Sequence, residues 1–93
     1  MVGWEVTGRF VREHRDALPA LERWHDMTRL AKWGSIIDAR RDFPRADGVG
    51  SRTVFNIRGN HYRLIAKINY RAQVVRVTHV LTHAEYDKGG SKE

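Results

Sequence analysis

The chain has 93 residues, with 17 Lys and Arg against 11 Asp and Glu, which gives a formal charge of +6, and it has no cysteine. This length predicts a single domain around one core. The missing cysteines exclude disulfides and thiolate metal sites. No segment has the roughly 20 apolar residues of a membrane-spanning helix, and the N-terminus does not resemble a signal peptide. We therefore expect a cytoplasmic protein without a membrane partner, and the basic excess favours nucleic acid as ligand.

The first third of the sequence predicts a short strand followed by helices. Val2, Trp4 and Val6 alternate with small or polar residues, which indicates an opening strand. Thr7 is then expected to cap a helix over residues 8–14. A second helix begins near Asp16 in this interpretation. One apolar stripe at three- and four-residue spacing identifies it: Leu21, Trp24, Met27, Leu30 and Ala31.

From Gly34 onward the pattern changes from helix to strand. A short helical piece is expected over residues 36–43, followed by a loop over residues 45–51. Three strands joined by tight turns come next, with turns at Gly59-Asn60 and near Arg71. This order predicts an α+β fold, in which an N-terminal strand and two to three helices pack on one face of an antiparallel sheet. The domain spans residues 1–88, and residues 89–93 are expected to form a mobile tail.

Strand alternation predicts which side chains face away from the helices. If Tyr62, Leu64 and Ile68 point inward, their neighbours must point to the other face of the sheet. In the preceding strand, Phe55 and Ile57 are likewise expected to point inward, so that their neighbours point to the other face. The residues expected on or beside this second face are Arg52, Asn56, Arg58, His61, Arg63, Lys67, Asn69, His83, Tyr86 and Lys88. Cations beside aromatic rings on a sheet face suit single-stranded RNA.

The expected chemistry of this face is RNA cleavage without a metal or other cofactor. Arg63 offers a fork of donors to phosphate, and Lys67 adds a positive charge. His83 is a residue type that can exchange a proton near neutral pH, and Tyr86 can stack on a base or donate a proton. No third ligand accompanies His79 and His83, so the sequence predicts no metal site. The other residues of the face are expected to bind RNA.

Four segments of the sequence resemble the toxins of the HigB family. They are residues 54–60, 62–65, 67–70 and 82–87, and the Thr-His-Ala-Glu-Tyr-Asp run of residues 82–87 is the most specific. The resemblance extends over residues 5–88 and reaches more distantly to the RelE/ParE superfamily. It implies a RelE-like fold and cleavage of mRNA, typically on the ribosome. It also implies neutralisation by a HigA-type antitoxin with a helix-turn-helix domain, through which the pair binds operator DNA.

The same resemblance assigns roles to individual residues. Arg63 is similar in position to the phosphate-stabilising arginine of the family. His83 occupies the place of a catalytic basic residue, and Tyr86 lies near the family's C-terminal tyrosine. The general base stays open between His83 and Lys67, because RelE-like sites differ in detail.

Two other functions are compatible with the sequence. A toxin of the same fold can poison a different target such as gyrase, although protein inhibition requires neither a basic face nor an acid–base residue such as His83. A non-catalytic RNA-binding protein is the second alternative, and substitution of Arg63 or His83 by alanine would leave it unaffected.

Overall fold

The computed structural model of the protein describes residues 1–88, which form an α+β fold. The helices are α1 (Glu5–Val11), α2 (Leu18–Leu30), α3 (Ile36–Asp42) and α4 (His83–Asp87), with a 3-10 turn at Arg15–Ala17 before α2. The strands are β1 (Asp47–Val49), β2 (Arg52–Ile57), β3 (Tyr62–Asn69) and β4 (Val74–Thr82). This architecture confirms the expected fold class and is consistent with a RelE-like toxin. None of the described helices is both long and apolar enough to cross a bilayer.

The four strands form one antiparallel sheet in the order β1-β2-β3-β4. Leu64 of β3 pairs with Phe55 on one side and with Val80 on the other, which places these three side chains on the same face. A bulge in β4 follows, because Ile65 pairs with His79 whereas Ala66 pairs with Val77. Thr78 is the extra residue, and its hydroxyl donates to the Ile65 carbonyl at 3.1 Å.

The main core lies between the helices and one face of the sheet. Trp24 of α2 meets Phe55 edge-on, with ring centroids 5.3 Å apart. Tyr62, Leu64 and Ala66 all belong to this core, as strand alternation predicts. Ile68 packs against the same core while partly exposed. The predicted orientation of β3 is therefore confirmed, and it directs the intervening residues to the opposite face.

The predicted opening strand is wrong, because the chain turns into α1 at Glu5. Only Val2 pairs with the sheet, through a bridge to Arg76 that runs parallel. Gly3 follows with a φ of 82°, a left-handed conformation that ends the extended run. A Cβ at this position would lie 2.2 Å from the Val77 carbonyl oxygen, so Gly3 also permits close contact with β4. The helix predicted over residues 8–14 begins earlier, as α1, so Thr7 lies inside it and its hydroxyl donates to the Trp4 carbonyl instead of capping it.

Two further elements differ from the sequence-based expectation. The loop predicted over residues 45–51 contains β1, a three-residue edge strand whose residues are all exposed. The segment after β4, for which the sequence predicted no element, forms α4. The mobile tail predicted for residues 89–93 lies outside the described residues.

Candidate active site

The face of the sheet opposite α1–α3 carries two kinds of side chain. Asn56, Arg63 and Leu81 are cross-strand neighbours in one row, and the next row contains Val54 and its neighbours. We call this surface the outer face. Its members are Arg52, Val54, Asn56, Arg63, Ile65, Lys67, Arg76, His79 and Leu81.

The centre of the outer face is buried rather than solvated. Ile65 is 1% exposed, Val54 is 5% exposed and Arg63 is 8% exposed. Alternation had suggested an open surface, whereas α4 folds back onto the end of the sheet and places Tyr86 against Arg63. The accessible part of the outer face is therefore divided between the end that α4 contacts and the opposite end, which carries Lys67 and Arg76.

Arg63 is held by the turn between β2 and β3. Its Nη2 donates to the Asn60 side-chain oxygen at 2.6 Å, and its Nη1 donates to the carbonyls of Asn60 and Tyr62 at 3.2 Å each. These bonds use three of the five N–H groups of a guanidinium. The other two make no hydrogen bond to the described residues, so Arg63 retains donors for an anionic ligand while its orientation is fixed.

A complete capping box fixes α4 at the end of β4. The Thr82 hydroxyl accepts from the Glu85 amide at 3.1 Å, and the Glu85 carboxylate accepts from the Thr82 amide at 2.9 Å. The His83 amide donates to the His61 carbonyl at 2.9 Å, which joins α4 to the β2–β3 turn. This short helix is thereby attached at both its cap and its first residue.

The side chain of His83 has one ring nitrogen engaged. Its Nδ1 lies 2.8 Å from an Asp87 carboxylate oxygen, one helical turn further along α4. The His83 side chain is 41% exposed, so the ring remains accessible to a ligand. An exposed histidine with a fixed ring can accept or donate a proton at its other nitrogen.

A shallow cleft connects these groups at the α4 end of the outer face. Its lining residues are Asn60, His61, Thr82, His83 and Ala84. Asn60 also holds the Arg63 guanidinium, so the cleft borders the only arginine of β3. The structure thus brings His61 and His83, which line the cleft, to the same end of the sheet as Arg63 and Tyr86, which contact each other.

Lys67 lies away from that cleft. It is four residues from Arg63 on β3, or about 13 Å at 3.3 Å per residue, and it pairs across the sheet with Arg76. The Arg63 guanidinium is held toward Asn60, in the opposite direction along the strand. Lys67 therefore does not share a reaction centre with His83 in this structure.

Arg52, Lys67 and Arg76 form a second group, which we call the cationic end of the outer face. Half-buried His79 lies beside it, and its Nδ1 is 3.0 Å from the Thr78 hydroxyl. Burial lowers the pKa of His79, and the positive charge of Arg52 lowers it further. His79 is thus biased toward the neutral imidazole, a flat ring among cations.

Arg58 does not lie on the outer face, which corrects the prediction. Its φ of 51° turns the chain out of the strand alternation, and its Nη1 reaches Asp16 on the helical side at 3.1 Å. Asp16 also accepts a 2.6 Å hydrogen bond from the Tyr62 hydroxyl. Arg58 and Asp16 therefore connect the β2–β3 turn to the start of α2.

The remaining predicted RNA-binding residues have varied surroundings. The side-chain oxygen of Asn69 accepts from the Ala72 amide at 3.0 Å and so belongs to the β3–β4 turn. Asn56 is half-buried beside Arg63. His61 is exposed in the cleft, with its Nδ1 3.0 Å from the Arg58 carbonyl, and Lys88 is exposed at the end of α4.

Sequence reasoning missed two residues that contact the predicted site: Asn60, which holds Arg63 and lines the cleft, and Asp87, which contacts His83. Asn60 was assigned only to a turn, and its contact with Arg63 depends on the turn geometry. Asp87 follows His83 at a spacing of four, which is a signal only if the segment is helical. Among residues 1–88, no three His, Asp or Glu side chains converge as a metal site would require.

The comparison with known families identifies one match. A model of the HigB toxins, described as the RelE-like toxic component of a toxin–antitoxin system, matches residues 17–89. This region includes α2, α3 and the whole sheet, together with Arg63 and the His83–Asp87 helix. No curated protein matches the chain.

Proposed function

Since the chain belongs to the HigB family of RelE-like toxins of toxin–antitoxin systems, we propose that it is an endoribonuclease that cleaves mRNA without a metal ion, in association with the ribosome. The observation that carries this proposal is the pairing of an oriented arginine with an accessible histidine at one cleft. Two guanidinium N–H groups of Arg63 make no hydrogen bond to the described residues, and Asn60, which holds Arg63, lines the same cleft as His83. Phosphate binding and proton transfer are the two requirements of metal-independent RNA cleavage.

In the proposed reaction, His83 Nε2 removes the proton of a ribose 2′-hydroxyl. The 2′ oxygen bonds to the adjacent phosphorus, and the bond from phosphorus to the 5′ oxygen breaks. Arg63 stabilises the negative charge on the phosphorus-bound oxygens, a contribution of about 10²–10³ in rate for such a donor. The leaving 5′ oxygen takes a proton from water or from the Tyr86 phenol. The products are a 2′,3′-cyclic phosphate and a 5′-hydroxyl end.

Lys67 supports this reaction through charge rather than as the base. Its position about 13 Å along β3 from Arg63 suits a phosphate elsewhere on the same RNA. Arg52 and Arg76 contribute to the same electrostatic surface, since they flank Lys67 at the cationic end of the outer face. RNA would therefore run along the outer face from the α4 cleft, where Asn56 lies beside Arg63, to these cations.

The toxin family implies an antitoxin partner. We propose a HigA-type antitoxin with a helix-turn-helix domain, which neutralises the toxin and carries the pair to operator DNA. The net charge of +6 favours an acidic contact surface on that partner.

Expression of the chain without an antitoxin tests the proposal. Growth should stop, and mapping of RNA 5′ ends should find new mRNA ends with 5′-hydroxyls. The His83→Gln variant should restore growth while retaining the wild-type circular dichroism spectrum. Intact transcripts in arrested cells would reject the nuclease. Relaxed plasmids in those cells would indicate gyrase as the target, and RNA binding without new ends would indicate a non-catalytic protein.

The purified protein separates ribosome dependence from cleavage itself. The complexes of mRNA with ribosomes are first crosslinked. Free mRNA and the crosslinked complexes are then incubated with the protein in a buffer that contains EDTA and no free Mg²⁺. Cleavage in the presence of EDTA supports metal independence. Faster cleavage of ribosome-bound mRNA supports the proposed association, and equal rates would contradict it.

A further inference from the structure

We infer that Asp87 is a positioning residue that holds the His83 ring with its proton on Nδ1, so that Nε2 is the nitrogen that accepts the 2′-hydroxyl proton. This inference rests on the proposed function for its catalytic consequence. It adds a residue outside the predicted site, together with a definite tautomer for the base.

The geometry determines the tautomer. An ionised carboxylate only accepts hydrogen bonds, and the Asp87 oxygen lies 2.8 Å from His83 Nδ1. Nδ1 must therefore carry the hydrogen. In the neutral ring the lone pair is then on Nε2, which lies on the opposite edge of the imidazole from Asp87 and is the nitrogen able to take up a proton.

The helix sets the spacing of this pair. Residues four apart on an α-helix are neighbours on one face, and His83 and Asp87 are the first and last residues of α4. The capping box formed by Thr82 and Glu85 stabilises this five-residue helix. Without it, the distance between ring and carboxylate would vary, because so short a helix is marginal by itself.

The pair is poorly suited to a purely structural role. Its side chains are 41% and 59% exposed, and exposed ion pairs contribute only about 0–1 kcal/mol to stability. A carboxylate that orients a histidine has an effect on reactivity that does not depend on burial. When Nε2 takes the 2′-hydroxyl proton the ring becomes an imidazolium, which Asp87 stabilises without accepting a proton itself. The imidazolium later returns that proton to solvent.

Three variants at Asp87 test the inference: Asp87→Asn, Asp87→Ala and Asp87→Glu. Single-turnover cleavage of RNA should fall by about 10- to 100-fold in Asp87→Ala, a part of the 10²–10⁴ that an acid–base group contributes. RNA affinity should change little. Asp87→Glu should recover part of the rate because it restores a carboxylate that accepts from Nδ1, whereas Asp87→Asn accepts the hydrogen bond without the charge.

Long-range ¹H–¹⁵N NMR of the His83 ring provides a readout that does not require cleavage. With the ring neutral, the wild type should show the proton on Nδ1, and Asp87→Ala should show a mixture of tautomers. Asp26→Asn is the matched control, because Asp26 is an exposed carboxylate 3.7 Å from His25 Nδ1 on α2. It removes the same charge beside a histidine elsewhere and should leave both readouts unchanged.

The outcomes distinguish this inference from the proposed function. If the wild type cleaves RNA and Asp87→Ala cleaves at the same rate, the positioning role is wrong although the nuclease is correct. If the wild type does not cleave RNA on or off the ribosome, the nuclease is rejected. An unchanged tautomer in Asp87→Ala overturns the structural part of the inference in either case.

Discussion

The guanidinium carbon of Arg63 lies 5.8 Å from the centre of the Tyr86 ring. This cation–π contact joins β3 to α4, the last described helix, and covers a part of the outer face. It also accounts for the low exposure of Arg63, because the turn oxygens and the aromatic ring replace the water that a buried cation loses. α4 therefore contributes directly to the surroundings of the proposed phosphate-binding arginine.

Substitution of Tyr86 separates the function of its ring from that of its hydroxyl. Tyr86→Leu removes the aromatic face and should lower the free energy of unfolding by about 0.5–1 kcal/mol, the usual size of a cation–π contact. Tyr86→Phe keeps the ring and should leave stability unchanged. Urea denaturation measures both. If Tyr86→Phe cleaves RNA as fast as the wild type, the phenol is not the proton donor and water serves the leaving oxygen.

Arg63→Lys tests whether a fork of donors or only a positive charge is needed at this position. A lysine keeps the charge but cannot hold the Asn60 oxygens while presenting two further N–H groups. The rate of single-turnover cleavage should fall by a factor of about 10²–10³. The free energy of unfolding should decrease less in Arg63→Lys than in Arg63→Ala. Arg12→Ala, at the exposed end of α1, is the control for loss of charge. Wild-type cleavage by Arg63→Lys would contradict the role assigned to the guanidinium.

Strand alternation predicted the central part of the fold because both faces of β3 obey it. Tyr62, Leu64 and Ala66 enter the core as expected. Arg58 departs from the alternation, because the strand ends at Ile57 and a positive φ redirects the next side chain. The period of two therefore predicted the orientation of side chains inside a strand, but not that of the residue after the strand ends.

The termini were less predictable for a different reason. Val2, Trp4 and Val6 look like a strand, but the left-handed Gly3 separates one extended residue from a helix. α4 has no buried residue and so carries no apolar stripe to reveal it. Its signal is the Thr82–Glu85 capping box, a local hydrogen-bond pattern that periodicity does not detect.

Lys67→Ala distinguishes the two bases that the sequence left open. If Lys67 only binds phosphate, its removal should weaken RNA binding and lower the slope of log affinity against log salt by about 0.7, the value for one contact on a single strand. The cleavage rate at saturating RNA should be unchanged. Fluorescence anisotropy at several salt concentrations and single-turnover kinetics measure the two quantities. A collapse of the saturated rate would instead identify Lys67 as the base.

The Asp16–Tyr62 hydrogen bond should make stability depend on acid pH. The Tyr62 hydroxyl, followed by the Arg58 charge, lowers the pKa of the Asp16 carboxyl below its ordinary value of 3.8. A carboxyl with a lowered folded-state pKa contributes stability above its unfolded pKa, and the contribution is lost as the pH falls through the folded value. The urea midpoint should therefore decline below about pH 4, and Asp16→Asn should reduce this decline.

Tyr62→Phe is the companion to that substitution. It removes the largest cause of the shift, so the pKa of the Asp16 carboxyl should rise toward its ordinary value in an NMR titration. Glu22→Gln, at an exposed position of α2, controls for the loss of any one carboxylate. An acid dependence that is the same in Asp16→Asn and wild type would show that other carboxyls cause it.

Thr82→Ala tests whether the capping box holds the proposed base in place. The substitution removes the acceptor of the Glu85 amide, a loss of about 1 kcal/mol for an N-cap, and α4 is too short to persist without it. Hydrogen exchange of the Glu85 amide should accelerate. The rate of RNA cleavage should fall in buffer without urea, in which the sheet remains folded. Ser35→Ala is the matched control, because Ser35 occupies the N-cap of α3 without a side-chain capping bond. If Thr82→Ala frays α4 while cleavage stays at the wild-type rate, neither His83 nor Tyr86 needs the helix, and the reaction centre proposed at this end of the sheet is wrong.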